Sequence, residues 1–238
     1  MGGLAALDGV YRGPRAAALS GVPIATLRHL ACAGIVVPCA SGSRPSLWSY
    51  EDLLAVRAFA WLRRPKHVGG VSLPPAPLRV VRGALAAVRD LGREVWTGDD
   101  GSRVLVDAAG HVFARGREGA LDDCRQLGAE TIDVLAPFEF EGRRGPDLVR
   151  PRPLLRIVPG KLAGAPHVGG TRVETAALAA LADRGFAATR IAVLYRELAV
   201  EAIAEAIDLQ RQLGTISDRQ PRLACLEIAA GGEAAFRR

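Results

Sequence analysis

The chain contains no asparagine, only two lysines (Lys66 and Lys161) against 29 arginines, and a single methionine. Asparagine and lysine both use A-rich codons, so the pattern reads first as a bias of the genome towards G and C. Arginine richness alone is therefore no argument for nucleic acid. Aromatic residues make up only 5% of the chain. The four cysteines, Cys32, Cys39, Cys124 and Cys225, include no CxxC pair and have no histidine at zinc-finger spacing, so they read as buried thiols, not as a metal site or disulfide frame. No apolar run approaches the roughly 20 residues of a membrane span. Residues 1–8 have neither a basic region nor a long apolar stretch, so no secretory signal is expected and a cytoplasmic location is. The usual phosphate-binding and nucleophile motifs, P-loop, GxGxxG and nucleophile elbow, are missing too. The acidic pairs Asp99-Asp100 and Asp122-Asp123 fall in a turn and in a polar run, where such residues are expected anyway. The four histidines lie far apart, so the chain reads as no enzyme, with no metal and no cofactor.

What is present is enough for a folded core: 238 residues, 49% hydrophobic and 24% charged. The net charge of +6 is uneven. Residues 1–65 carry 7 basic and 3 acidic side chains, residues 66–155 carry 13 of each, and residues 156–238 carry 11 and 9. Attraction to a polyanion is then strongest at the N-terminal end.

The pattern along the chain divides it into four parts: 1–65, 66–153, 154–214 and a tail, 215–238. In the first part the sequence predicts a helix over Pro14–Ser20, a Gly21-Val22-Pro23 break and a helix over Ile24–Ala33 with Gly34 as its C-cap. Two short extended pieces follow, Ile35–Pro38 and Ser46–Ser49, forming a two-strand wing around the turn-rich residues 41–45. A third helix starts after Ser49, which with Asp52 makes a capping-box pattern, and carries an apolar stripe through Leu53, Leu54, Val56, Phe59, Ala60 and Trp61.

The second part begins with the Pro-rich linker 73–77 and a helix over Leu78–Leu91. Hairpins follow, Val95–Thr97 with Arg103–Val106 and Val104–Val106 with His111–Ala114, then strands at Ile132–Leu135 and Leu154–Val158. The Gly-, Pro- and charge-rich stretch Glu141–Pro153 reads as a mobile loop. From Glu174 the period is helical, with helices over Thr175–Asp183, Thr189–Tyr195 (capped by Thr189) and Val200–Leu213. Val200, Ile203, Ala204 and Ile207 are expected to face inward on the last of these. The class is α+β.

A helix, a tight turn, a second helix and a wing can seat one helix in the major groove, where every base pair is distinguishable. Arg28 and His29 stand mid-helix, able to reach base edges or phosphates. Thr26 lies nearer the helix N-terminus, which favours phosphate. Leu27 and Leu30 face inward, and Arg44, Trp48 and Tyr50 lie along the phosphate backbone. The alternative leaves Arg28 as a solvated helix arginine and Trp48 in the core, with the module used for protein contact.

Residues 18–23 (Ala-Leu-Ser-Gly-Val-Pro), Thr26-Leu27-Arg28-His29, Gly34-Ile35, Pro38 and Leu47-Trp48-Ser49-Tyr50-Glu51-Asp52-Leu53 resemble the winged-helix DNA-binding domain of the MerR regulators over about 50 residues. The chain departs from that family's pattern at Ser46 and Trp48 on the wing, with Arg44 two positions earlier, and at His29 and Leu30 in the second helix. The C-terminal part is similar to a small domain of VapB-like antitoxins. That resemblance rests on Gly170-Thr171-Arg172-Val173, the Gly185 turn, and Tyr195-Arg196-Glu197-Leu198 followed by Val200-Glu201-Ala202-Ile203. It implies a compact, helix-turn-helix-like fold.

Together the two resemblances imply the antitoxin of a type II toxin–antitoxin pair. Such a protein would bind a VapC-like PIN-domain ribonuclease and block its acidic, metal-dependent site. It would also bind operator DNA as a homodimer to repress its own operon. An arginine from the C-terminal half, Arg172, Arg196, Arg219 or Arg222, would approach the toxin's carboxylates. For Arg172 the competing reading is a guanidinium that bonds nearby carbonyls and fixes its own loop. The competing function is a stand-alone MerR-like regulator whose middle β segment senses a ligand.

Overall fold

The computed structural model describes residues 9–38, 46–68, 71–94, 96–97, 100–101, 103–114 and 131–218. Among them it shows helices and small antiparallel sheets, the expected α+β class.

A two-residue strand, β1 (Tyr11–Arg12), leads into α1 (Gly13–Ser20), which has Pro14 in its first turn. Gly21 ends α1 at φ 74°, ψ 22°, the left-handed region that a side chain resists. Even without that strain, a Cβ at Gly21 would lie 2.5 Å from the Gly145 amide nitrogen. After this turn comes α2 (Ile24–Cys32), with Pro23 just before its first turn, supplying the carbonyl that Leu27 N–H reaches. Ala33, not Gly34, caps α2, so the helix ends one residue earlier than the sequence suggests, and Gly34 follows at φ 64°.

The two-strand wing is not built from the pieces expected. Ile35–Pro38 forms no strand. The amides of Ile35 and Val36 turn back onto the Leu30 carbonyl, Val36 is buried, and Pro38 has no N–H for a ladder. The second piece does extend, as β2 (Leu47–Trp48), but its partner is β1, with Tyr11 opposite Trp48 and Arg12 opposite Leu47.

Ser49 and Asp52 form the predicted reciprocal capping box at the start of α3 (Tyr50–Leu62). The expected apolar stripe is wider than predicted: all thirteen residues of α3 are buried, Arg57 included. α4 (Leu78–Glu94) packs along it, and Arg89 reaches the buried Asp52 carboxylate at 3.3 Å. Between them, β3 (Lys66–Val68) and β4 (Val71–Leu73) form a hairpin.

In the middle of the chain, β5 (Trp96–Thr97) pairs with β6 (Asp100–Gly101), not with 103–106 as expected. β7 (Val104–Asp107) is the centre of a three-stranded antiparallel sheet between β8 (Val112–Ala114) and β9 (Thr131–Asp133).

The stretch Glu141–Pro153 is a built element, not a loose loop. β10 (Phe138–Phe140) and β11 (Arg143–Gly145) make a tight hairpin, and the two turn residues, Glu141 and Gly142, both sit at positive φ (49° and 71°). Gly145–Val149 is buried behind it. Asp147 fixes that segment by accepting from Val149 N–H (2.7 Å), Arg150 N–H (2.6 Å) and the Arg103 guanidinium (2.7 Å).

β12 (Leu155–Arg156) pairs with β13 (His167–Val168) ahead of three helices, α5 (Thr175–Asp183), α6 (Ala188–Leu194) and α7 (Val200–Asp218). Ala187, not Thr189, stands at the N-cap of α6, and no side chain caps it. On α7 the inward face is Ala202, Ile203, Ala206, Ile207, Leu209 and Leu213, while Val200 and Ala204 are exposed.

The buried apolar residues form one cluster from Tyr11 to Leu213. α1 packs on α7 across the chain, where Arg15 donates to Gln210 (2.9 Å) and Gln210 donates to Thr175. The Tyr11 hydroxyl donates to the Gly164 carbonyl (2.9 Å), and the Tyr50 hydroxyl to that of Leu148 (2.9 Å). The N-terminal part and the residues after 134 therefore share their core. Among the described residues no helix is long and apolar enough to cross a membrane.

Candidate nucleic-acid interface

α2 is amphipathic with its two faces cleanly sorted. Ile24, Leu27 and Leu30 are buried, the last two completely, and hold the helix on α1 and the core. Ala25, Arg28 and His29 are exposed and Thr26 is half-buried. The Arg28 side chain makes no hydrogen bond or ion pair with the described residues, so its guanidinium stands clear of the body.

Two of the other predicted contacts do not join this face. Trp48, 3% exposed, packs in the core opposite Tyr11, and Tyr50, 1% exposed, spends its hydroxyl on the Leu148 carbonyl. Neither can lie along a phosphate backbone, because turning either outward would open the core, and turning Tyr50 would also strand the Leu148 carbonyl. Burial also raises the Tyr50 phenol well above its ordinary range. Arg44 lies outside the described residues.

What sets the pose of α2 is a residue the sequence reading passed over. Arg57 sits wholly buried in α3 and uses all five of its N–H donors on backbone carbonyls. Nε donates to Ser20 (3.2 Å), one terminal nitrogen to Val134 (3.0 Å) and Ala136 (2.7 Å), and the other to Leu19 (2.7 Å) and Pro146 (2.6 Å). Leu19 and Ser20 close α1, so their carbonyls have no partner within the helix. A cation there also complements the helix dipole. The guanidinium lies over the Phe138 ring, 5.7 Å from its centroid. Burial pushes its pKa down to about 10, opposed by Tyr50, Asp147 and Asp133, and it stays charged at neutral pH. The α1–α2 turn is thus bolted to β10–β11 and to the segment that follows β9. A signal was there to be read: Arg57 is the one charged residue in the apolar run Leu53–Leu62.

No family model, curated protein or solved structure matches this chain.

At the other end of the chain, Arg172 and Arg196 are exposed and make no hydrogen bond or ion pair with the described residues. Arg172 does not fix its own loop. Thr171 does, donating its hydroxyl to Val168 (2.9 Å) and accepting from Val173 N–H (3.1 Å). Arg219 and Arg222 lie outside the described residues, as do Asp99 and the Asp122-Asp123 pair. Among the described residues no group of three or more His, Cys, Asp or Glu side chains is placed to hold a metal.

An open groove of about 810 Å³ runs beside β10–β11, lined in part by Glu141, Arg143, Arg144, Asp147, Arg152 and Gln212. Arg152 is already engaged with Asp208 (2.7 Å) and Gln212 (2.7 Å).

Proposed function

We propose that this chain is a DNA-binding antitoxin. Its N-terminal module, a MerR-like winged helix, would read operator DNA through α2. Its C-terminal module, VapB-like, would neutralise a PIN-domain ribonuclease of the VapC kind. The observation that carries the reading is the outer face of α2: Arg28, His29 and a half-buried Thr26 face solvent on a helix locked from behind by Leu27 and Leu30. The pairing of β1 with β2 around α1 and α2 supports a winged arrangement, with α2 in the position of a recognition helix.

The second module rests on two side chains. The exposed, unengaged Arg172 and Arg196 are free to pair with the carboxylates of a metal-dependent nuclease, and bidentate pairing there competes with the metal. A cytoplasmic homodimer on a two-fold operator goes with this reading.

Fluorescence anisotropy on fragments of the DNA upstream of the gene tests the DNA half. Arg28→Ala weakens binding by about 1–3 kcal/mol, and relaxes discrimination where Arg28 touches a base. An unchanged affinity and an unchanged salt slope leave the module as a protein-contact element. Co-expression with the product of the neighbouring gene tests the other half, since a ribonuclease that is silenced supports the antitoxin. The groove beside β10–β11 favours a second reading, a regulator that senses a ligand. Absence of any protein partner, together with operator affinity that shifts with a small molecule, decides for it.

A further inference from the structure

We infer that α6 and the turn before it form a self-complementary face that seats a second copy of this chain. This deepens the proposed function, which expects a dimer, by naming the surface that makes one.

Among the described residues seven large hydrophobic side chains are exposed, and four of them, Phe186, Val193, Leu194 and Val200, fall within fifteen residues. Arg190, Val193 and Leu194 follow the spacing i, i+3 and i+4 and so share one side of α6, and Phe186 is exposed in the turn that leads into it. Val193 and Leu194 are 57% and 56% exposed. The opposite side of the same helix is already seated, with Ile191 fully buried and Ala188, Ala192 and Tyr195 packed against the core. A helix apolar on both sides is one whose second side is covered in use.

The rim of this face says what covers it. Arg184, Arg190 and Arg196, with Asp183, Glu197 and Glu201, flank it along the chain, three bases and three acids, all exposed. No side chain of the six makes a hydrogen bond or an ion pair with the described residues. A partner of one predominant sign would set half of these charges against like charge. A second copy, related by a two-fold axis, presents acids to bases in both directions, because in such an interface residue i meets j and j meets i.

Sedimentation of the full 25.1 kDa chain between about 1 and 100 µM tests this, with folding checked by circular dichroism. The parent sediments as a dimer. Val193→Asp with Leu194→Asp, both at exposed positions, weakens the dimer at least about 100-fold. A chain carrying R184E, R190E and R196E and a chain carrying D183K, E197K and E201K are each monomeric alone and form a one-to-one dimer when mixed.

A parent that stays monomeric overturns the proposal, as does a Val193/Leu194 variant that stays dimeric or a charge-swapped pair that fails to associate. A monomeric parent that binds the co-expressed ribonuclease through these residues overturns it too, and gives the face to that partner. Arg28→Ala reports on DNA separately. A dimer lost through α6 while Arg28→Ala leaves operator binding untouched sinks the DNA reading and keeps this one.

Discussion

Replacing Arg57 with methionine keeps the length and apolar contact of the side chain and removes its five donors. Of the five bonds lost, those to Leu19, Ser20, Val134 and Pro146 lie in fully buried surroundings, where water cannot substitute. A stranded buried carbonyl costs about 1 kcal/mol or more, so the four set a gross loss of about 4 kcal/mol. Relief of the guanidinium's own desolvation, visible in its depressed pKa, offsets part of this. The expected net loss is about 2–4 kcal/mol, or about 5–15 °C in Tm for a chain of this size. Lysine in its place offers one nitrogen with three donors. It cannot serve the end of α1 and the 134–146 carbonyls together, so Arg57→Lys retains less than half of the effect.

Urea unfolding followed by circular dichroism gives the free energy, and hydrogen exchange gives the place. Protection at residues 19–22 and 134–148 falls together in both variants, because one side chain serves both. A methionine variant within about 0.5 kcal/mol of the parent, or exchange that rises in only one of the two segments, refutes the bolt.

Three smaller perturbations test other joints. Ser49→Ala removes half of the capping box of α3 and lowers stability by about 1 kcal/mol in a urea melt, with Asp52 left to hold the Ser49 amide. Tyr11→Phe deletes the hydroxyl that satisfies the Gly164 carbonyl and costs about 1–2 kcal/mol, read by the same melt. Asp133 carries a carboxyl whose pKa burial raises in the folded state, against the pull of Leu135 N–H and Arg103. A raised carboxyl pKa means that ionisation is harder folded than unfolded. The penalty is absent below the unfolded value, grows as the pH rises from the unfolded value to the folded one, and is constant above it. Asp133→Asn escapes it, so the stability of the variant relative to the parent increases between about pH 3.5 and pH 7, and a flat difference argues against the burial effect.

Much of the local structure was legible because local chemistry fixes it. Thr175–Asp183 begins and ends where the helical period does, the Ser49/Asp52 box is where its spacing puts it, and Leu27 and Leu30 face inward as read. The failures share a cause in partners distant along the chain. Trp48 and Tyr50 are amphipathic aromatics, and only Tyr11 and Leu148, far from them in sequence, decide that they turn inward. The composition of Glu141–Pro153 reads as loop, but Arg57 gathers the Pro146 carbonyl and Asp147 gathers two amides and Arg103. On α7 the choice between Val200 and Ala204 and the actual Ala202 and Ala206 turns on a rotation that alanine barely signals. At the candidate interface, the exposure of Arg28 was legible from periodicity alone, whereas the clamp behind it required the carbonyls of three separate segments.

The position of α1 ties these readings together. One of its flanks carries the turn into α2, and Arg57 holds its last two carbonyls. Another flank lies against α7, with Arg15 joined through Gln210 to Thr175 at the start of α5. A rigid helix contacted on both sides cannot shift against one neighbour without straining the other, because packed cores rearrange in discrete steps. Packing and four hydrogen-bonding side chains, Thr175, Gln210, Arg15 and Arg57, therefore connect the helices after Thr175 to the turn that leads into α2. Arg15 and Tyr11, both remote from the outer face of α2, each join the two ends of this chain through a single hydrogen bond, to Gln210 and to the Gly164 carbonyl.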